Sequence, residues 1–344
     1  MLHPLDLIVQ TGLSPEESLA ADRLLLDEVA RPSRECSGAL RVYDLAGDVL
    51  CLGRYHLAPE RSPPGIGVWR RHSGGRAMPW GAGFVGLSLA LPHRSALVAP
   101  DPLALAPEQV LNRYVRGILA ACELIGMPSF YPGRDLVTSD HRMLAMVSFE
   151  IEPSGALLFQ AVIADDRDFS VLPALLDRAD PAGVIKGGMV HPDEATCLAA
   201  RLGHALGAAA LAERVRRGYE ERLGVHFNER ALAVSTAFDA RGWLGQRRRR
   251  TGLDRHVQLT GQLGVVELFY ALEDTRIREV LVTGDLIASS STVERLEAEL
   301  RGCAAERAAV ETVVTRVLAE PTSVLLGLGP PRAVAEAIAG GLVP

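Results

Sequence analysis

Apolar positions along the chain follow two periods. From Ser14 to Val29 they fall at Leu19, Ala20, Leu24, Leu25, Leu26 and Val29, the spacing of an amphipathic helix, and Ser14-Pro15-Glu16-Glu17 supplies its N-terminal cap. A second helix is predicted over about Pro107 to Ile125, with Val110, Leu111, Val115, Ile118, Leu119 and Leu124 on one face and Gly126-Met127-Pro128 as its stop. Between these helices the runs are short and aliphatic or β-branched. Ala39 to Tyr43 and Val49 to Gly53, separated by Ala46-Gly47-Asp48, predict a hairpin, and Gly67 to Arg70 and Phe84 to Leu91 predict two further strands. A Pro-rich loop, Ser62-Pro63-Pro64-Gly65, is expected before the third of these strands.

Further strands are expected at Asp135 to Thr138, Leu144 to Phe149 and Ala156 to Ile163, and helices near Leu172 to Leu176 and from Ala195 to Val225. Around Gly242 to Arg255 the chain turns basic and loses its aliphatic residues, as an exposed linker would. A β-β-α-α pattern follows: Gly264 to Leu272, Ile277 to Asp285, Val293 to Leu300 behind Thr292 as cap, and about Ala304 to Leu318. Hairpins surrounded by helices predict a mixed, largely antiparallel α+β domain rather than a doubly wound nucleotide fold. The expected division is 1–245, a linker at 246–256, and a small α/β domain at 257–344.

Composition limits the setting. A formal charge of -6 over 344 residues argues against a general nucleic-acid binder. The single dense basic run, Arg247 to Arg250, reads as a solvated linker or helix end. The five cysteines, Cys36, Cys51, Cys122, Cys197 and Cys303, form no CxxC pair, so neither a zinc site nor a disulfide framework is suggested. With no basic n-region and no long apolar stretch, the expectation is a soluble chain in a reducing cytoplasm, without a membrane partner.

The densest candidate chemistry lies in Arg70-Arg71-His72-Ser73-Gly74-Gly75-Arg76-Ala77. Arginine presents a planar, permanently charged fork to phosphate or carboxylate, and a Gly-Gly pair lets backbone N–H groups approach a ligand closely. The same octet also suits a plain turn with solvated arginines.

In this octet the chain resembles the lipoate–protein ligases of the biotin/lipoate ligase and octanoyltransferase superfamily, whose signature is Arg-Arg-x-Ser-Gly-Gly-(Gly/Arg)-Ala-Val, with Met78 here in place of Val. Leu52-Gly53-Arg54-Tyr55 and Pro132-Gly133-Arg134-Asp135-Leu136-Val137 resemble two further family segments, and Asp168-Phe169 with Leu172 a third. Gly264 to Leu300 looks like the C-terminal accessory domain of the longer ligases. The resemblance implies a class II synthetase-like catalytic fold and ATP-dependent activation of lipoate or octanoate as an acyl-adenylate. Transfer to a lysine of a lipoyl-domain carrier protein would follow. It also implies that Arg70, Arg71, Ser73, Gly74, Gly75, Arg76, Ala77, Met78 and Pro79 hold the acyl-adenylate or ATP, and that Asp135 stands on the Mg²⁺ side.

The chain departs from the family at several of these places. The essential lysine belongs to a stretch that here reads Ser139-Asp140-His141-Arg142-Met143-Leu144-Ala145. Aligned without a gap, Arg142 takes its place as the catalytic cation; shifted by one, Met143 does and no cation remains. Pro79-Trp80-Gly81 replaces a segment carrying a histidine and an acid, and Gln160-Ala161-Val162 replaces His-Gly-Thr. The segment after Lys186-Gly187-Gly188, Val190 to Thr196, lacks the family's arginines. A second expectation is therefore a catalytically impaired acyl- or nucleotide-binding relative, acting as a binding module or sensor.

Overall fold

The computed structural model describes residues 3–31, 38–59, 66–180, 182–185, 192–234, 238–328, 332, 335–336 and 339–340. The expected Pro-rich loop at Ser62 to Gly65 and the segment Lys186 to His191 lie outside them. Its main sheet joins β1 (His3–Leu13), β2 (Ala39–Leu45), β6 (Phe84–Leu91), β7 (Leu136–Ser139), β8 (Arg142–Ile151), β9 (Leu157–Ala164) and β10 (Val225–Glu229) in the order β10-β1-β2-β6-β9-β8-β7. β1 runs parallel to both neighbours, and every other pairing is antiparallel. A small sheet, β4-β3-β5, is built from β3 (Asp48–Leu52), β4 (Gly67–Arg70) and β5 (Met78–Gly81).

The hairpin expected between Ala39 and Gly53 does not form. β2 pairs with β1 and β6, whereas β3 leaves for the small sheet and pairs with β4 and β5. Both strands are buried on nearly every residue, so neither shows the alternation that would have marked its partner. β5 takes up Met78 and Pro79, which the resemblance had placed in a ligand loop; proline is tolerated because β5 is an edge strand. The helix expected over Ala195 to Val225 is two helices, Leu198–Leu202 and Gly207–Leu223, the first ended by Gly203 and the second opened by Gly207, both at positive φ. The helix expected over Pro107 to Ile125 is likewise stepped, into a 3-10 turn at Pro107–Gln109 and helices at Val110–Tyr114 and Arg116–Leu124.

Helices Arg116–Leu124 and Gly207–Leu223 cover one face of the main sheet, where Ile118, Leu211 and Val215 meet Leu89, Val147 and Phe159. The helix Pro15–Val29 packs on the other face through Leu25 and Leu26 against Ile8, Ala90 and Leu158. Its cap forms as expected: Ser14 Oγ accepts from Glu17 N, and Glu17 accepts from Ser14 N.

The C-terminal part is a three-stranded antiparallel sheet, β11 (Arg255–Thr260), β12 (Val265–Glu273) and β13 (Arg276–Gly284), backed by helices Ser290–Leu300 and Arg307–Leu318. Val266, Leu268, Val282, Leu296 and Val314 fill its own core. Between sheet and helix the chain crosses to the larger part as β14 (Ile287–Ala288), paired with β15 (Leu325–Leu326). Ile287, Leu263 and Val324 belong to the core of the main sheet, and Tyr55 belongs to the C-terminal core, so the two parts share apolar contacts in both directions.

The helix pair Arg116–Leu124 and Gly207–Leu223 depends on close backbone approach: a Cβ on Gly218 would stand 2.2 Å from the carbonyl oxygen of Gly117. We expect Gly218→Ala to lower stability by about 1–3 kcal/mol in chemical denaturation, since the helices must separate to admit the methyl group. An unchanged midpoint would contradict this packing.

Candidate functional site

The signature octet leaves β4 and turns beneath the main sheet with Arg70, Arg71, His72 and Ser73 each at most 1% exposed. Arg70 donates to the carbonyls of Gly53, Arg54 and His56 at 3.1, 2.7 and 2.7 Å and to that of Leu244 at 3.0 Å. Burial, with Arg247 and Arg54 nearby, pulls its guanidinium down to about 9. Arg71 is spent on the same loop, donating to Ser73 Oγ and to the carbonyls of Cys51, Gly74 and Arg76. Both arginines therefore fix backbone carbonyls in the interior.

Arg76 meets Asp135 in a bidentate pair of 2.7 and 2.8 Å, which engages both carboxylate oxygens. The octet and the Gly-Arg-Asp segment, far apart in sequence, are thus brought together. Arg142 is not. The turn between β7 and β8 has two residues, Asp140 and His141, both at positive φ, and it leaves Arg142 exposed at the strand's first position. A bulge follows at Leu144, so Met143 and Met146 face the small sheet, on the side of Ser148. Arg142 is thus exposed, while Met143 beside it is buried.

Beneath the octet lies a polar chain that the sequence reading did not find. Ser73 N donates to Gln160 Oε1 at 3.1 Å, Gln160 Nε2 donates to Asp22 Oδ2 at 2.8 Å, and Asp22 Oδ1 accepts from Arg41 at 2.8 Å. Ser73 Oγ also lies 2.6 Å from Ser148 Oγ. Burial pushes the Asp22 carboxyl up against the pull of Arg41. His72, assigned no role from sequence, packs against Phe238 and Trp243 and donates Nε2–H to the Leu19 carbonyl at 3.0 Å; burial drives it down to about 3, so the ring is neutral. Cys51 and Cys122 are buried, and burial raises each thiol to about 11, far from a thiolate nucleophile at neutral pH.

The open side of the Gly-Gly loop is covered by the C-terminal part. Gly75 N donates to the carbonyl of Leu286 at 2.7 Å, and a Cβ on Gly74 would stand 2.3 Å from that same oxygen. The Asp285 carboxylate acts electrostatically on both Arg71 and Arg76 and lies 3.1 Å from His56 Nε2. The chain thus presents its own carbonyl and carboxylate to the surface read from sequence as an anion cradle. The segment is clamped further along: Tyr55 OH donates to the Ala288 carbonyl at 3.0 Å, and Glu150 accepts from Ser290 N at 2.8 Å, at the start of helix Ser290–Leu300. The signal for this was the Gly-Asp pair at Gly284-Asp285, which marks only a turn without its partner in view.

A cavity of about 490 Å³ opens at the seam of the two parts. Leu111, Leu263, Ile287, Leu325 and Leu326 form apolar walls, and Glu108, Tyr131, Arg134, Gln262 and Ser323 bring polar groups to it. Arg134 is exposed and pairs with no carboxylate among the described residues.

The residues do not fit the Mg²⁺ expected at Asp135. Both its oxygens hold Arg76, and the described residues contain no group of three His, Cys, Asp or Glu side chains placed to hold a metal. Nor does the Gly-Gly loop fit a nucleotide phosphate in this arrangement, because the Gly75 N–H is engaged by Leu286.

No protein-family model and no curated protein sequence matches the chain. Solved structures do. P. falciparum LipL1 in complex with lipoate superposes with a TM-score of 0.65 at 11% identity, over 91% of this chain and 94% of that one. A bi-partite lipoate protein ligase from Thermoplasma acidophilum, described with its E2 lipoyl domain, gives 0.54 at 17% identity over 73% and 99%. A lipoate-protein ligase A bound with ATP gives 0.51 at 16% identity over 72% and 95%. The chain has the lipoate–protein ligase fold, the mixed and mostly antiparallel α+β architecture expected from its residues. No helix among the described residues is long and apolar enough to cross a membrane.

Glu150 makes the clamp sensitive to pH. Burial raises its carboxyl from 4.5 to about 7, against the opposing pull of Arg54. The folded state therefore binds a proton that the unfolded chain has already lost between these two values, and stability falls as pH rises through that window. The predicted loss from pH 4.5 to above 7 is at most about 3 kcal/mol. Denaturation of Glu150→Gln across the same range should show that part of the slope removed; an unchanged slope would contradict the assignment.

Proposed function

We propose that this chain is an acyl-acid binding protein on the lipoate–protein ligase fold, taking a medium-chain carboxylic acid such as lipoate or octanoate, in which binding is kept and adenylation is not. The observation that carries this reading is the seam cavity: its volume of about 490 Å³ suits a small ligand, its leucines suit an aliphatic chain, and Arg134 supplies one unpaired guanidinium for a carboxylate. The arginines and the aspartate that the resemblance implies for adenylation have other partners here or lie exposed. Arg70 and Arg71 hold carbonyls, Arg76 and Asp135 hold each other, and Arg142 lies at an exposed turn.

A second reading, an ATP- and Mg²⁺-dependent ligase that acylates a lipoyl-domain protein, is favoured by one feature. A single hydrogen bond, from Gly75 N to the Leu286 carbonyl, engages the Gly-Gly loop's backbone from the C-terminal part among the described residues, so withdrawal of that segment would free the Gly75 N–H. In that reading Ser73, Gly74, Gly75, Ala77 and the neighbouring arginines would hold the acyl-adenylate, and Asp135 would have to release Arg76 before meeting a metal.

The purified chain, incubated with ATP, Mg²⁺, octanoate or lipoate and a lipoyl domain, separates the two. The first reading expects octanoate or lipoate to bind in calorimetry, Arg134→Gln to weaken that binding about tenfold or more, and no AMP release or mass gain on the lipoyl domain. Acylated lipoyl domain with stoichiometric AMP would overturn it in favour of the ligase. Absence of binding and turnover together would overturn both.

A further inference from the structure

The basic run Arg247 to Arg250, read from sequence as a solvated linker, divides into two kinds of residue. Arg247 is built into the seam: its guanidinium donates to the Val282 carbonyl and to Glu297 at 2.5 and 3.0 Å, and its own carbonyl accepts from Ala58 N at 2.8 Å. Arg250 pairs with Glu279. Both ends of the run are therefore fixed. The two residues between them, Arg248 and Arg249, pair with no carboxylate among the described residues.

These two side chains line a concave site of about 420 Å³. Arg249 lies over the ring of Phe269, 5.0 Å from its centroid, and His256 stacks on the same ring at 4.6 Å. The one carboxylate in the lining, Glu267, is 4% exposed and accepts from His256 Nε2 at 2.8 Å. It neutralises neither arginine. Leu57, Ala58 and Val184 are the apolar residues of the same lining, with Leu57 and Val184 in one packed cluster with Phe269. In a chain of net charge -6, two adjacent cations held at a concave wall without a counter-charge are set for an anion supplied from outside.

We propose that this concavity, formed by Arg248, Arg249, His256, Phe269 and the wall at Leu57 and Val184, binds a phosphate monoester of a small apolar molecule. Two guanidinium forks match the oxygens of one phosphate, and the wall accepts the organic part. The site shares no lining residue with the seam cavity or the Gly-Gly loop, so it stands independently of the acyl-acid reading.

Calorimetry with phenyl phosphate, inorganic phosphate and phenol tests it on the full chain. The expected order is phenyl phosphate tightest, inorganic phosphate weaker, phenol without measurable binding. Arg248→Gln combined with Arg249→Gln should weaken phenyl phosphate at least about tenfold, while the thermal midpoint stays unchanged. Phe269→Leu should reduce the preference for phenyl phosphate over inorganic phosphate while leaving the arginines in place. Undiminished binding to the double variant, or no binding of phenyl phosphate to the parent chain at millimolar concentration, would overturn the proposal. A preference for phenol would do the same.

Discussion

Arg41 and Asp22 form an ion pair of 2.8 Å with neither side chain exposed, and the signature loop hangs from it. Asp22 comes from the first helix, Arg41 from the second strand, Gln160 from the ninth, and Ser73 closes the chain of hydrogen bonds. A buried charge without its partner costs several kcal/mol, so each of these elements is held to the others by what its removal would strand. Arg41 is also satisfied by Ser18 and Gln10 and lies 3.6 Å from the Tyr43 ring centroid, which leaves little freedom for the helix to shift. This interior network holds the loop in its position.

The same network sets what the octet's residues do in this chain. Arg70 and Arg71 satisfy carbonyls that would otherwise be orphaned in the interior, a role that persists whether or not a nucleotide ever meets the loop. Gly74 and Gly75 admit the backbone of Leu286 and Ile287, where a side chain would collide. A motif read as an anion cradle is in this chain a docking surface for the C-terminal part, with Asp285 supplying the negative charge.

The fold class was legible because it rests on local patterns: the capped helix at Ser14, the turn glycines, and the aliphatic runs of β6, β8 and β9. Pairing partners were not, since β2 and β3 are buried on both faces and their apolar runs carry no alternation. Arg76 and Asp135 were both chosen from sequence as site residues, yet their contact with each other depends on tertiary placement. Arg142 illustrates a finer limit. Arg142 is exposed and Met143 buried next to a bulge in β8, and a bulge leaves no reliable mark on the sequence. Gln160, visible only as a lost histidine, turned out to anchor Ser73.

Amide hydrogen exchange at Gly75 tests the closed arrangement most directly. Its N–H is bonded to Leu286 across the seam, so the account predicts slow exchange in the full chain without ligand, and no added protection from ATP. Fast exchange that becomes slow only when ATP and octanoate are supplied would contradict it, because the loop would then be open and awaiting an adenylate.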